Sequence, residues 1–326
     1  MVTNEHLVRE VAACAADPQY FLDNYVYILD SQKMEKVKWQ SWPCHVKFME
    51  ALKTQKSIIV VKARQLGMTW QCGAYALWKA MFNYGARVSI FSQGENEAMK
   101  LLSRIDFIYR NLPLWLQSKK RVSNTECMTF EHRESGIWVF PATENAGRSE
   151  SASLVINDEW AFHPFPERQY VAIKPIIDAP GGQFIGITTG NGAGTFVHRI
   201  WQDAVEGKNN FYPLFFGWSE RPGRDRHWYE VTKKDYSKQL FAQEYPSTAE
   251  EAFVQGGSPV FDDVTLVLRA TVTIPKSLEL LPPQLQKKGI KVYQLPEHGR
   301  KYCIGVDVGE GESIRGDASV TVSYTH

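Results

Sequence analysis

A short stretch near residue 60 constrains the fold of this chain more than any other. An apolar run at residues 58–61 leads into a polar turn around Gly67, and a helix-like run begins at Thr69. A strand that ends in a tight loop before a helix allows backbone N–H groups and the helix dipole to bind a phosphate. The stretch therefore predicts a phosphate-binding loop (Walker A), although an ordinary strand-to-helix turn with two surface cations fits the same pattern.

The loop departs from the usual consensus G-x-x-x-x-G-K-[ST] at two positions. Lys62 stands at the first glycine position, and Met68 stands at the lysine position before Thr69. Because methionine carries no charge, another cation must neutralise the phosphates; we favour Lys62, with Arg64 assisting. We expect the backbone from Gln65 to Thr69, including Met68, to contact the nucleotide. The Thr69 hydroxyl is expected to bind Mg²⁺, as the last residue of a phosphate loop does.

A second apolar run, residues 154–157, ends in two adjacent carboxylates, Asp158 and Glu159. An apolar strand followed by an acidic pair is typical of Walker B, in which one carboxylate organises Mg²⁺ and the next polarises the attacking water. We therefore assign Asp158 to the metal and Glu159 to the water. A solvated acidic turn is the alternative, which the position of this run downstream of the phosphate loop disfavours.

Three further segments carry polar side chains that could complete the site. Arg148 lies in a Gly/Ser-rich turn, where an arginine finger could stabilise a transferring phosphoryl group, even on a neighbouring subunit. Thr188, Thr189 and Asn191 follow another apolar run and could sense the γ-phosphate. Gln40 precedes the phosphate loop by one helix and could read the adenine edge. Taken singly, these residues equally fit a solvated loop arginine, a Gly-rich turn and a surface glutamine.

Around these motifs the chain alternates short apolar runs with longer amphipathic stretches. Strands are predicted at residues 57–61, 87–92, 136–141, 153–157 and 183–188. Helices are predicted at residues 5–16, 18–29, 43–52, 69–82, 95–111 and 165–177, with another from 195 onward. This alternation predicts an α/β fold with an open, mostly parallel sheet flanked by helices.

Changes in composition divide the chain into four predicted parts. Residues 1–56 form a helical segment that packs on the core, and residues 57–255 form the P-loop ATPase domain. Residues 256–300 begin with a turn-rich break and form a linker or small subdomain. Residues 301–326 hold two predicted strands, which are marginal as an isolated pair. They therefore predict the opening of a domain whose remainder is absent.

The first of these strands is interrupted by an aspartate, Asp307, in the run Ile-Gly-Val-Asp. It resembles the first strand of an RNase H-like nuclease, in which an aspartate supplies the first ligand of a two-metal site. Such chemistry needs several carboxylates from different strands. The rest of the set is not evident in this sequence, so we expect no DNA cleavage by the chain as given.

The overall composition narrows the class of protein. There are 37 Lys and Arg against 36 Asp and Glu, a formal charge of +1, which excludes a strongly basic nucleic-acid coat. The five cysteines are widely spaced without a C-x-x-C pair, which disfavours a disulfide scaffold or a zinc site and suits a reducing compartment. No signal sequence or membrane-spanning apolar stretch is evident. We expect a soluble, intracellular protein.

Together these motifs resemble the large terminase subunit of tailed bacteriophages, and the resemblance covers almost the whole chain. Arg64, Gln65, Gly67 and Thr69 match the family's deviant Arg-Gln-x-Gly-x-[ST] loop, and Lys62 matches a lysine moved to the start of the loop. Further matches are Arg148 as the arginine finger, 188–191 as the Thr-Thr-Gly-Asn coupling segment, 244–261 as the segment before the nuclease, and 305–317 as the nuclease start.

The resemblance implies a motor that packs viral DNA. The implied fold is a P-loop NTPase of the ASCE or RecA-like type, with a small helical or linker subdomain and a truncated RNase H-like hairpin. The implied activity is Mg-ATP hydrolysis that translocates double-stranded DNA into a procapsid, in the host cytoplasm. ATP and Mg²⁺ are the implied cofactors, with Thr69, Asp158 and Asp307 as metal ligands. Implied partners are DNA, the portal or procapsid, the small terminase subunit and further copies in a ring, without a membrane. An endonuclease domain is expected in the full-length protein.

Two other functions stay open at this point. A helicase-like ATPase shares the phosphate loop and Walker B, but the Asp307 hairpin argues against a second RecA-like lobe. A degenerate nucleotide-binding scaffold for DNA or a procapsid is favoured by Met68 and disfavoured by Glu159. Candidate DNA contacts, which also fit solvated surface charge, are Lys119, Lys120, Arg121, Arg221, Arg224 and Arg226.

Overall fold

The computed structural model describes residues 4–30, 33–144, 151–253, 302–307 and 320–325, and the statements that follow concern those residues. The chain divides into two units, Met1–Gly257 and Ser258–His326, which we describe separately. The predicted linker at 256–300 lies outside the described residues. The four predicted domain boundaries therefore stay predictions.

The helices and strands of the described residues are numbered in chain order. The helices are α1 (Asn4–Ala16), α2 (Pro18–Tyr25), α3 (Pro43–Thr54), α4 (Met68–Phe82), α5 (Glu95–Arg110), α6 (Pro166–Asp178), α7 (Phe196–Val205), α8 (Arg226–Thr232), α9 (Lys238–Glu244) and α10 (Ala249–Ala252). The strands are β1 (Tyr27–Asp30), β2 (Glu35–Lys38), β3 (Ser57–Lys62), β4 (Arg87–Ser92), β5 (Lys120–Ser123), β6 (Cys127–Phe130), β7 (Ser135–Pro141), β8 (Leu154–Asp158), β9 (Gln183–Thr188), β10 (Tyr212–Phe216), β11 (Tyr302–Asp307) and β12 (Val320–Thr325). Within these residues, no helix combines the length and apolar character needed to cross a bilayer.

The centre of the first unit is an eight-stranded sheet in the order β10-β3-β9-β8-β4-β7-β6-β5. The first six strands pair in parallel, and only the β7-β6-β5 edge is antiparallel. This confirms the predicted α/β fold with a mostly parallel sheet. Strand β9 lies between β3 and β8, so the carboxyl ends of these three strands meet at one edge. Parallel α/β sheets bind ligands at this edge.

Both faces of the sheet are covered by helices. Ile58 and Val60 of β3 pack into a core formed with helices α2 to α5, whereas Ile59 and Val61 pack into a second core formed with α6, α7 and α10. A strand buried on both faces is apolar at every position, which is why β3 appears as a continuous apolar run. The two helical layers hold the strand ends, and the residues that follow them, in fixed positions.

Several elements differ from those predicted or were not predicted. The helix predicted at 18–29 ends at Tyr25, and the chain continues as β1, which pairs with β2 in an antiparallel hairpin. Its aromatic and β-branched residues favour a strand. Strands β5, β6 and β10 were not predicted. β5 is largely exposed and has no apolar run, and β10 contains Pro213, which marks it as an edge strand.

The second unit contains the predicted hairpin. β11 and β12 pair antiparallel, with Tyr302 opposite Thr325 and Asp307 opposite Val320. Asp307 is the last residue of β11, and its side chain lies outside the described part of the structure. The hairpin is thus confirmed, and its assignment to a nuclease domain stays a prediction.

Candidate nucleotide-binding site

A cavity of about 590 Å³ opens at the carboxyl edge of the sheet, a volume in the range of nucleotide-sized sites. Its walls are the phosphate loop, the acidic pair at the end of β8, strand β1 and the first turns of α5. Eight predicted site residues lie in these walls: Lys62, Arg64, Gln65, Gly67, Met68, Thr69, Asp158 and Glu159. The structure thus brings the two predicted motifs together at one site.

Lys62 and Glu159 form an ion pair on the wall of this cavity. Lys62 Nζ donates to Glu159 Oε1 at 2.8 Å, and the lysine side chain is only 6% exposed. The other carboxylate oxygen, Oε2, accepts from the backbone N–H of Thr189 at 2.9 Å and from its hydroxyl at 3.1 Å. Glu159 therefore connects the end of β3 to the loop after β9.

Asp158 lies beside this pair and faces α4. The Thr69 hydroxyl donates to Asp158 Oδ1 at 3.1 Å, so the residues predicted to bind the same metal are in contact. The backbone of Asp158 is held by His163, whose Nε2–H donates to its carbonyl oxygen at 2.9 Å. Burial lowers the pKa of His163, although its bonds to Gln169 and to the Asp158 carbonyl oppose this. His163 had not been predicted from the sequence.

The two carboxylates differ in their electrostatics. Burial, and next to it the charge of Glu159, raises the pKa of Asp158 to about 6. Burial opposes ionisation of Glu159 too, but the charge and hydrogen bond of Lys62 and the two bonds from Thr189 outweigh it and lower its pKa. Glu159 is therefore the carboxylate held ionised by the protein itself. A cation next to Asp158 would lower its pKa as well.

The backbone at Glu159 is unusual. Its φ of 51° and ψ of 49° lie in the left-handed region, which residues with a side chain seldom adopt. The chain turns sharply here from β8 into a short 3₁₀ turn, Trp160–Phe162, and this turn is fixed by the bond from Asn191 Nδ2 to the carbonyl of Ala161 at 2.9 Å. Such strained positions concentrate at functional sites.

The second half of the phosphate loop is fixed by a buried histidine. His45 accepts from the Trp42 N–H through Nδ1 at 3.1 Å, so its Nε2 carries the hydrogen and donates to the carbonyl of Leu66 at 2.6 Å. Gly67 has a φ of 75°, and an added Cβ would lie 3.3 Å from His45 Nε2 and 3.5 Å from Trp39. Met68, at the usual lysine position, is 1% exposed and packs in the core.

Other predicted residues lie away from the cavity walls. Gln40 is exposed and does not line the cavity, whereas Trp42 does. Thr189 contacts the site by donating to the carboxylate of Glu159, and Asn191 donates to the turn that follows Glu159. Arg148 lies outside the described residues. Gly190, between Thr189 and Asn191, is pressed against α10, because an added Cβ would lie 1.7 Å from the Ala252 carbonyl oxygen.

The candidate DNA contacts lie in two different settings. Lys119, Lys120 and Arg121 each form an ion pair, with Glu131, Asp106 and Glu134 respectively. Arg224 is 8% exposed and is not a solvated charge, because it lies against the phosphate loop together with Arg221.

Sequence reasoning missed two cations on α5, Lys100 and Arg104, which line the cavity opposite the phosphate loop. They stand four residues apart on a helix that follows a predicted strand, and this spacing is the signal that could have found them.

Comparison with known proteins decides the family. Residues 59–298 match a family model, which is described as "Terminase large subunit, T4likevirus-type, N-terminal". The chain belongs to this family. The matched region contains the phosphate loop, the acidic pair and the loop after β9.

Solved structures agree with this terminase fold. The ATPase domain of the Thermus phage P74-26 large terminase is 16% identical with a TM-score of 0.54, over 67% of this chain and 97% of that one. The HK97 bacteriophage large terminase is 15% identical with a TM-score of 0.57, over 95% and 67%. The large terminase of a thermophilic bacteriophage, in complex with ADP, is 12% identical with a TM-score of 0.54 over 83% of this chain. This chain covers 62% of the length of that ADP-bound protein. At these identities the likeness concerns the fold.

The terminase site suits Mg²⁺ bound together with phosphates. Within the described ranges, no three His, Cys, Asp or Glu side chains are grouped so as to hold a metal alone. Mg²⁺ at nucleotide sites keeps several waters and takes one or two protein ligands besides phosphate oxygens. Thr69 Oγ1 and Asp158 Oδ1, in contact at the cavity wall, provide a donor set of that kind.

Proposed function

We propose that this terminase subunit hydrolyses Mg-ATP and uses the hydrolysis to translocate double-stranded viral DNA into a procapsid. The observation that carries the proposal is the contact between Lys62 Nζ and Glu159 Oε1, 2.8 Å long, on the wall of the cavity. Beside it, Thr69 and Asp158 supply a hydroxyl and a carboxylate. A cation for phosphates, an ionised carboxylate for water and ligands for Mg²⁺ are the parts that phosphoryl transfer to water requires.

In this proposal the phosphate loop binds ATP mainly through its backbone. The N–H groups from Gln65 to Thr69 would contact the phosphates at the start of α4, where the helix dipole favours negative charge. Met68 would contribute its N–H alone, since its side chain packs in the core. Lys62 would neutralise the phosphates. Arg64, whose Nε lies 2.7 Å from Glu244 Oε2, would assist.

Glu159 would polarise the attacking water. Phosphates that draw the Lys62 ammonium away would leave Glu159 with its two bonds from Thr189 and one oxygen open to the water. The proton of the water would pass to this carboxylate as the oxygen attacks the γ-phosphorus, while the bond from that phosphorus to the β–γ bridging oxygen breaks and ADP leaves. Thr189 and Asn191 hold the two sides of the turn around Glu159, so we propose the loop after β9 as the coupling segment.

Mg²⁺ would be held by Thr69 and Asp158, and the bound ion would neutralise charge on the phosphates. Arg148 is proposed as an arginine finger that acts on a neighbouring subunit in a ring. Gln40 is proposed as a contact to adenine. Asp307 is proposed as the first metal ligand of a nuclease domain completed in the full-length protein.

The partners follow from the packaging role. We propose double-stranded DNA, the portal or procapsid and the small terminase subunit as partners, with the host cytoplasm as the place of action. The family assignment supports packaging over a helicase-like role. Binding to DNA backbone phosphates should weaken steeply with added salt. A flat salt response would count against translocation on duplex DNA.

The test compares Glu159→Gln with the unmodified chain by phosphate release, with and without DNA. We expect a loss of about 10²-fold or more in kcat, the usual contribution of general-base catalysis, with ATP binding retained. Glu131→Gln, which removes a surface carboxylate paired with Lys119, should leave the rate unchanged. A nucleotide-binding scaffold, which Met68 favours, would instead give equal, negligible rates in all three proteins.

A further inference from the structure

Two arginines that follow β10 contact the first half of the phosphate loop. Arg224 Nη1 donates to the carbonyl of Arg64 at 2.9 Å, and Nη2 donates to Gln65 Oε1 at 3.0 Å. Arg221 Nη1 lies 3.1 Å from both the carbonyl oxygen and Oε1 of Gln65. The side-chain oxygen of Gln65 is therefore shared by two guanidinium groups.

Arg224 is an unusual cation for its position. It is 8% exposed, and its guanidinium carbon lies 4.6 Å from the ring centre of Trp228 and 5.0 Å from that of Tyr245. Among the described residues, no carboxylate lies within ion-pair distance of it. Burying a charge without a counterion is costly. Here two aromatic faces and the loop oxygens take the place of the carboxylate, which ties the side chain to the loop.

The loop needs this support because of its backbone. Gln65 has a φ of 60°, in the left-handed region that residues with a side chain seldom adopt. The amides before it are held by the same part of the chain, since Ala63 N–H donates to the carbonyl of Phe216 at 2.8 Å and Arg64 N–H to that of Glu244 at 2.9 Å. Residues 63–65 are thus held from β10 and the α8–α9 segment.

We propose that Arg224 is a positioning residue for nucleotide binding, which together with Arg221 holds Gln65 in its left-handed conformation and so preforms the phosphate loop. The proposal rests on the proposed function in taking a nucleoside triphosphate as the ligand of this loop. A loop already ordered loses less conformational freedom when the ligand binds. Nucleotide affinity is thereby linked to the position of α8 and α9.

The test uses two variants and one matched control. Arg224→Lys keeps the charge but cannot donate in two fixed directions to separate acceptors. Gln65→Ala removes the shared oxygen at an exposed position, where misfolding is not expected. Arg226→Ala removes an exposed arginine of the same segment that makes none of these contacts.

The first measurement is hydrogen exchange of the Ala63 and Arg64 amides without nucleotide. We expect exchange about tenfold faster in Arg224→Lys and Gln65→Ala, since loss of the contacts promotes local opening, and no change in Arg226→Ala. The second is the Kd for a non-hydrolysable ATP analogue together with KM and kcat. Kd and KM should rise about tenfold while kcat changes less than about threefold, because a preformed loop contributes equally to ground and transition states.

Unchanged exchange in both variants would overturn the proposal. A lower kcat at unchanged KM would overturn it too, because that result indicates a smaller fraction of folded enzyme or a catalytic contact. The unmodified chain could also fail to hydrolyse ATP, which would reject the proposed hydrolysis. Faster exchange and weaker analogue binding in the two variants would still uphold the positioning role.

Discussion

The two halves of the phosphate loop are held in contrasting ways. Residues 63–65 end in two exposed side chains and are held partly by the cations Arg221 and Arg224. Leu66 and Gly67 are held from α3 by a buried, neutral His45 packed between Trp39 and Trp42, with ring centres 4.6 and 4.8 Å apart. One short loop therefore joins a part held rigidly by His45 to a part whose contacts depend on charge.

Removing the rigid anchor should have the largest effect. His45→Ala leaves the Leu66 carbonyl and the Trp42 N–H without partners and opens a space between two tryptophans. We expect a loss of about 2–4 kcal/mol in the free energy of unfolding, measured by denaturant titration. His227→Ala, at an exposed position on α8, should change it by less than about 0.5 kcal/mol. Equal effects of the two variants would refute the anchor.

The next effect concerns the glycine at the start of α4. Gly67→Ala should cost about 1–2 kcal/mol for the left-handed backbone, with a further cost for contact with His45 and Trp39. Gly85→Ala serves as its control, because Gly85 has a φ of 67° but open space around it. Thermal unfolding of both variants would show whether Gly67→Ala is the more destabilising. Equal losses of thermal stability in the two variants would show that His45 and Trp39 leave room for a side chain at Gly67.

Acidification should affect the rigid half through His45. Burial lowers its pKa, and the bond to Leu66 and the charge of Asp23 only partly oppose this. The unfolded chain then binds more protons than the folded one, so His45 lowers stability as the pH falls below about 6.5, the pKa of an unperturbed histidine. Unfolding curves recorded between about pH 7.5 and 5 should give a free energy of unfolding that depends less on pH in His45→Gln than in the unmodified chain. An unaltered dependence would contradict the buried neutral state.

The smallest effect should come from salt and should touch only the charged half. The ion pair of Arg64 with Glu244 is partly exposed, so about 1 M salt screens it and changes stability by less than about 1 kcal/mol. Hydrogen exchange should become faster at Ala63 and Arg64 and stay constant at Gln71, whose N–H donates to the carbonyl of Gly67 at 3.1 Å. A uniform response along the loop would remove the distinction between its halves.

The parts that could be predicted from the sequence are those with local signals. Each of the two motifs is a continuous stretch of sequence: the apolar run of β3 with its loop, and the apolar run of β8 with the acidic pair at its end. That both motifs meet at one edge of a parallel sheet follows from the fold class. The contacts that hold the loop are not local. His45 is 21 residues from Leu66, and Arg224 is 160 residues from Arg64.

The same reason explains what the sequence did not reveal about three segments. The local sequence does not distinguish an arginine buried between aromatic rings from a solvated one, so Arg224 was grouped with the surface charges. Gln40 was chosen for its position one helix before the loop, and in the structure Trp42 of the same segment lines the cavity. β5 carries no apolar run because it is an edge strand exposed to solvent.

The close approach of Gly190 to α10 has a mechanical consequence. Main chain meets main chain there, with no side chain between them that could change rotamer and absorb a displacement. Thr189, the preceding residue, grips the carboxylate of Glu159 with two bonds. A small shift of that carboxylate would therefore move the backbone of Thr189 and Gly190, and α10 would have to move with it.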